Sequence, residues 1–191
     1  MNPARYNAVA MALHWLIAAL IVTNIGLAWY FGTLHGQEKV AVIQVHKPIG
    51  ITVLILTLAR LGWRFAKPPP PLPIYVSGWE RVAAKTVYVL FYGVMIGLPL
   101  TGWAMVSASR LIHLYPINFG LFVWPAITPL TSLPPEQMRD THEFFQEAHE
   151  LIGWLAYGLI GLHVAAALRH QFILRDGVLA RMVPFLKART T

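Results

Sequence analysis

The sequence predicts an all-α integral membrane protein: a single four-helix bundle with both termini in the cytoplasm. Three observations predict it. Of the 191 residues, 57% are hydrophobic and 12% charged, whereas a soluble domain carries about 25% charge. Four apolar stretches reach the roughly 20 residues that a membrane helix needs. The basic residues fall between these stretches and crowd onto one side of the resulting topology. This composition excludes a collagen-like or disordered chain. The sequence has no Cys, which excludes a disulfide scaffold, a thiolate zinc site and an iron–sulfur cluster. The net charge of +7 does not point to nucleic acid, because the bases do not cluster on one face of a soluble fold.

The first helix is predicted over about 8–31. Its only ionisable residue is His14, and residues 15–34 carry no charge. Arg5 precedes this run as in a signal peptide. The run is longer than a signal core and no A-x-A site follows, so it reads as a retained helix. The second helix is predicted over about 46–64, opening on His46 and carrying Arg60 near its end. The third covers about 82–106, with no acid, base or His from Thr86 to Ser109. The fourth covers about 141–173, and Asp140-Thr141-His142-Glu143 fits a capping box at its start.

The connections differ in character. Residues 32–45 are short and polar. Residues 67–81 hold Pro68 to Pro71 and Pro73, which predicts a stiff, extended link. The loop 107–139 is long and Pro-rich. Its apolar patch Leu121-Phe122-Val123-Trp124 is too short to span and is expected to fold onto the bundle or the lipid interface.

Four spans place both termini on one side. That side collects Arg5, Arg60, Arg64, Lys67, Arg81, Lys85, Arg169, Arg175, Arg181, Lys187 and Arg189 against Glu80 and Asp176. The other side holds Lys39, Lys47, Arg110 and Arg139 against Glu38, Glu136, Asp140, Glu143, Glu147 and Glu150. The excess of bases puts the termini in the cytoplasm.

An ionisable group inside a span is costly and marks function by default. Four His meet this description: His14, His46, His149 and His163. The last two are fourteen residues apart, about four helical turns and about 21 Å of rise, so they share one face at two depths. His14 matches His163 in depth, and His46 matches His149. Two pairs result, one near each membrane surface. Haem b suits them, since six-coordinate haem iron takes two axial imidazoles and bundle cores are where cofactors are held.

Other residues have two readings each. Gly50 and Gly153 stand four residues after His46 and His149, and either admit a macrocycle or let helices pack. Arg60, fourteen after His46, either meets a haem propionate or snorkels to the interface. His170, seven after His163, either donates to a quinone or propionate or faces lipid headgroups. His35, His113 and His142 are expected to be solvated. A single buried His could also just bond a carbonyl. A His-lined transporter would normally add mid-span carboxylates, and none occurs.

Several segments together resemble the bacterial cytochrome b561 family: Ala12-Leu13-His14-Trp15-Leu16, His46-Lys47-Pro48-Ile49-Gly50, His149-Glu150, and Gly161-Leu162-His163 through His170. The ending Arg175-Asp176 through Leu179, Arg181-Met182 and Pro184 adds to the likeness, which covers nearly the whole chain. The resemblance implies a bacterial inner-membrane protein with two haem b groups. His46 and His149 would hold the one nearer the periplasm, and His14 and His163 the one nearer the cytoplasm. It also implies electron transfer between a periplasmic donor and the ubiquinone pool, with superoxide as the donor of the best-understood member. Here positive steering of superoxide would fall to Lys39, Lys47 or Arg110, because the outer side is acidic on balance. The second reading is a haem-bearing anchor or relay for a periplasmic dehydrogenase or carrier, with the acidic helix start and the 107–139 loop as its docking surface.

Overall fold

A computed structural model describes residues 5–70, 78–183 and 185. Pro71, Pro73, Pro184, Lys187 and Arg189, on which expectations above also rest, lie outside the described residues. Four long apolar helices dominate: α1 (Ala8–Gly32), α2 (Gly36–Ala66), α3 (Gly78–Ser107) and α5 (Pro135–Leu168). Between α3 and α5 lie a two-stranded antiparallel hairpin, β1 (Ile117–Asn118) with β2 (Val123–Trp124), and the short helix α4 (Thr128–Thr131).

The exterior is apolar. Val22, Trp29, Val89, Leu151, Trp154 and Leu162 are all more than half exposed. In water such a surface would aggregate; in lipid it is the solvated face, and the helices satisfy their own backbone groups. Four helices are long and apolar enough to cross a membrane, which makes the chain a helical bundle of the multi-pass type.

Helix ends follow local chemistry rather than apolarity. Asn7 caps α1, its side chain accepting from Ala10 N at 2.9 Å. α2 begins at Gly36, well before the predicted start at 46. Its first turns are polar but helix-competent, so they extend the helix beyond the lipid core where hydropathy is silent. The turn from α1 is therefore only residues 33–35, and Gly36 at φ +56° makes the reversal in a conformation that glycine adopts without strain. α5 starts at Pro135, not at the expected capping box. Proline is well suited to the first helical position, where its missing N–H has no partner to lose. Asp140 and Glu143 instead face solvent and pair with Arg139. Past Leu168 the helix widens into a π-helical stretch, Arg169–Leu174, and ends at Arg175 with φ 54°.

The two ends of the bundle are tied differently. At one, the terminal end, Trp15 Nε1 donates to Met182 O at 3.0 Å and Tyr6 N to Arg181 O at 3.2 Å. Buried Arg181 donates from Nη2 to Pro70 O at 3.2 Å. At the other, the loop end, Ile112 and Ile117 are buried against Ile51 and Val106. Lys47 Nζ donates to Tyr115 O at 2.8 Å, and Arg110 Nη2 to Pro135 O at 3.0 Å. The 107–139 segment thus folds onto the bundle.

Backbone packing runs from α1 to α2, α2 to α3 and α3 to α5. Between α1 or α2 and α5 there is no comparable packing among the described residues. That separation is where the histidines meet.

Candidate functional site

His14 of α1 and His163 of α5 face one another with ring centres 6.2 Å apart. His46 of α2 and His149 of α5 do the same at 6.4 Å. Both pairs bridge the gap that the helix backbones leave open. The pair from His46 lies toward the loop end and the pair from His14 toward the terminal end.

Each ring is held. His149 Nδ1 donates to Leu98 O at 2.9 Å, with Thr101 Oγ1 also at 3.2 Å. His46 Nδ1 donates to Asn24 O at 3.2 Å. In a neutral imidazole this leaves Nε2 as the lone-pair nitrogen, and a carbonyl partner on the opposite nitrogen is how metal-ligating His are commonly oriented. His14 differs. Arg60 Nη1 lies 3.0 Å from its Nδ1, and a guanidinium can only donate, so there Nδ1 accepts. Half-buried Arg60 is thus turned inward onto His14 rather than snorkelling. His163 packs edge-on against Phe91, ring centres 5.3 Å apart.

The spacing can be tested against a ligand. Two imidazoles on opposite sides of one ion, each bonded at about 2.0–2.1 Å, have ring centres about 6–6.5 Å apart. Both pairs fall within that range. Among the described residues no three His, Asp or Glu side chains gather to hold a bare metal ion. Two imidazoles with no third donor beside them are the ligand set that an iron in a flat macrocycle would need.

The glycines divide. A Cβ on Gly153 would meet nothing within 4 Å, whereas one on Gly50 would touch Asn24 Nδ2 at 3.7 Å. So Gly153 borders open space beside His149, and Gly50 lies against α1. His170 Nδ1 is hydrogen-bonded to Asp176 Oδ2 at 2.5 Å, and Asp176 Oδ1 accepts from Val178 N at 3.1 Å. His142 is not solvated as expected: it donates to Met105 O at 2.8 Å and staples α5 to the end of α3.

Three supporting residues escape sequence reasoning. Asn24 supplies the carbonyl for His46, and its buried Oδ1 has no partner among the described residues; the polar step Thr23-Asn24 within an apolar span was the available signal. Thr101 and Gly102 flank His149. A Cβ on Gly102 would stand 3.1 Å from His149 Cε1. Nothing in the spacing of α3 marks them.

Comparison with known proteins follows the same lines. The family model described as prokaryotic cytochrome b561 matches residues 5–185. "Cytochrome b561 homolog 2" of Escherichia coli (strain K12) is 30% identical over 194 residues, spanning 95% of this chain and 93% of that protein. "Probable superoxide oxidase CybB" of Yersinia pestis is 29% identical over 189 residues, 94% and 96% of the two chains. "Cytochrome b562" of Cereibacter sphaeroides is 25% identical over 190 residues, 93% and 94%.

Proposed function

The chain belongs to the prokaryotic cytochrome b561 family, a family of membrane haem proteins of electron transport, and from that premise we propose a di-haem b oxidoreductase. It would move electrons from a periplasmic donor at the loop end to ubiquinone. The observation that carries this reading is the pair of facing histidines at each of two depths, 6.2 and 6.4 Å between ring centres.

In this reading His46 and His149 would hold the haem at the loop end, and His14 and His163 the one at the terminal end. Bound haem supplies one-electron chemistry at its iron. The protein's part is positioning. Asn24 O and Leu98 O fix the tautomers of His46 and His149. Arg60, which donates to His14 Nδ1, would turn to a haem carboxylate, so that His14 Nδ1 carries the proton and Nε2 keeps its lone pair for iron. The excess of bases at the terminal end supports a cytoplasmic position for that end in a bacterial inner membrane.

Superoxide is the donor to test first, since the Yersinia pestis relative is named a probable superoxide oxidase. Lys47 and Arg110 are bonded to backbone carbonyls, so they serve the fold of the loop end as well as any steering. Ubiquinone needs two electrons and two protons. His170 is the proposed proton donor: Asp176 holds its Nδ1, and in the protonated ring Nε2 is free to donate to a quinone carbonyl.

A second reading has one observation behind it. Glu136, Asp140, Glu143, Glu147 and Glu150 are all exposed on one face of the first turns of α5. Such a stripe suits a basic redox partner, with the chain acting as relay rather than enzyme. A reduced-minus-oxidised spectrum with haem quantification tests the cofactor. Superoxide-driven ubiquinone reduction in proteoliposomes separates the two readings: turnover by the isolated chain supports the first, and turnover only with an added periplasmic partner supports the second.

A further inference from the structure

At the terminal end, α1, α2 and the facing side of α3 enclose a cavity of about 320 Å³. Arg60, Arg64 and Lys67 line it from α2, and Arg5 lines it from the N-terminal segment. Their spacing along α2, four residues and then three, puts these three bases on one helix face. Among the described residues no acid lines the cavity. Trp63, Tyr92 and the run Pro68 to Pro70 also line it.

The α2 bases are only partly satisfied. Arg60 is committed to His14. The Arg64 guanidinium lies 3.9 Å over the Tyr88 ring, a contact that leaves its N–H groups able to donate sideways. Lys67 is exposed at the helix end. The last carbonyls of α2 attract these cations, but a helix end carries only about half an elementary charge. Several cations around one hollow with no lining acid call for an anion.

The depth selects the anion. Arg60 sits beside His14, where a haem carboxylate would lie. Arg64 and Lys67 are about 6 Å and about 10 Å further toward the terminal end, level with the indole of Trp63, which donates to Asn7 Oδ1 at the start of α1. Trp and Tyr concentrate at headgroup level, and basic pockets between membrane helices on the cytoplasmic side accept acidic lipid headgroups.

We propose that this cavity is a phosphate site occupied by the headgroup of an anionic phospholipid, bound by Arg64 and Lys67. The site stands whatever the electron donor and acceptor are.

The test uses the haem-loaded protein in nanodiscs of phosphatidylcholine, alone or with phosphatidylglycerol. Native mass spectrometry reads retained lipid, and the spectrum reads haem. The wild type is expected to retain phosphatidylglycerol in preference to phosphatidylcholine. Arg64→Gln or Lys67→Gln should each weaken retention about fivefold, and the double variant about 25-fold, with haem content unchanged. Arg64→Lys, which keeps the charge, should retain most of it. Three results would overturn the proposal. Retention in the double variant equal to wild type means the bases do not bind lipid. Loss of haem with unchanged lipid means the cavity serves haem carboxylates. Displacement of the lipid by equimolar inorganic phosphate means that the site takes a soluble anion.

Discussion

Gly102 of α3 stands against the imidazole of His149: a Cβ there would lie 3.1 Å from Cε1 and 3.3 Å from Nδ1. The ring is held on its other contacts by Leu98 O and Thr101 Oγ1, so it has little freedom to yield. Gly102→Ala should shift the midpoint potential or band shape of the loop-end haem while keeping it bound. Gly102→Leu overpacks the site, at about 1–3 kcal/mol, and should lower haem retention at that end alone. Potentiometric titration with haem quantification reads both. A Leu variant with wild-type haem content and potentials would show that His149 is not held as argued.

Ligand replacement separates the two depths. Wild type should yield two extractable haem b per chain, consistent with a sequence that has no Cys. His149→Ala should remove or convert to high-spin only the loop-end haem, and His163→Ala only the terminal-end one. On the proposed assignment each would lose an iron bond and leave an imidazole-sized gap. A wild-type stoichiometry near one, or single variants with two unchanged low-spin haems, would refute the assignment.

These pairings were legible because α5 is regular. Fourteen residues return a helix nearly to the same face, so His149 and His163 had to share a side. The four apolar runs likewise announced four helices. The start of α2 at Gly36 was not legible, because its polar first turns carry helical backbone without any lipid signature. Pro134-Pro135 reads as a break from sequence, yet Pro135 begins α5. Thr101 and Gly102 were hidden for a different reason: their role depends on which face of α3 meets α5, and α3 has no ionisable residue to mark that face. His142 looked solvated until the fold brought Met105 O to within 2.8 Å of it.

Arg181 should matter for stability rather than redox chemistry. It is 6% exposed, donates to Pro70 O, and its own carbonyl accepts from Tyr6 N. One side chain thus joins the C-terminal segment to the α2–α3 connection, and its backbone joins that segment to the N-terminus. Arg181→Ala removes a charged donor and should cost about 1.5–3 kcal/mol. Thermal unfolding in detergent should shift down, with the haem spectrum of the folded protein unchanged. An unaltered transition would mean that lipid-facing packing alone holds this end together.

The last prediction concerns where quinone is reduced. The terminal end offers His170, its Nδ1 bound to Asp176. A protonated imidazole there can give its Nε2 proton to a quinone oxygen while Asp176 keeps the ring in one orientation, the orienting role a carboxylate plays for a general acid. The loop end offers Lys47 beside His46, but its ammonium already donates to Tyr115 O at 2.8 Å. The terminal end is therefore the better site for proton delivery. Quinol-driven haem reduction, the reverse of the proposed direction, should slow by about 10²-fold or more in His170→Ala. Asp176→Asn should slow it less, since it keeps a partner for the ring but removes the carboxylate. Lys47→Ala should leave it near wild type. Both haems must be retained in every variant, which the oxidised spectrum verifies. Unchanged kinetics in His170→Ala together with a defect in Lys47→Ala would move the quinone to the loop end and leave His170 with Asp176 as a structural clasp for the π-helical end of α5.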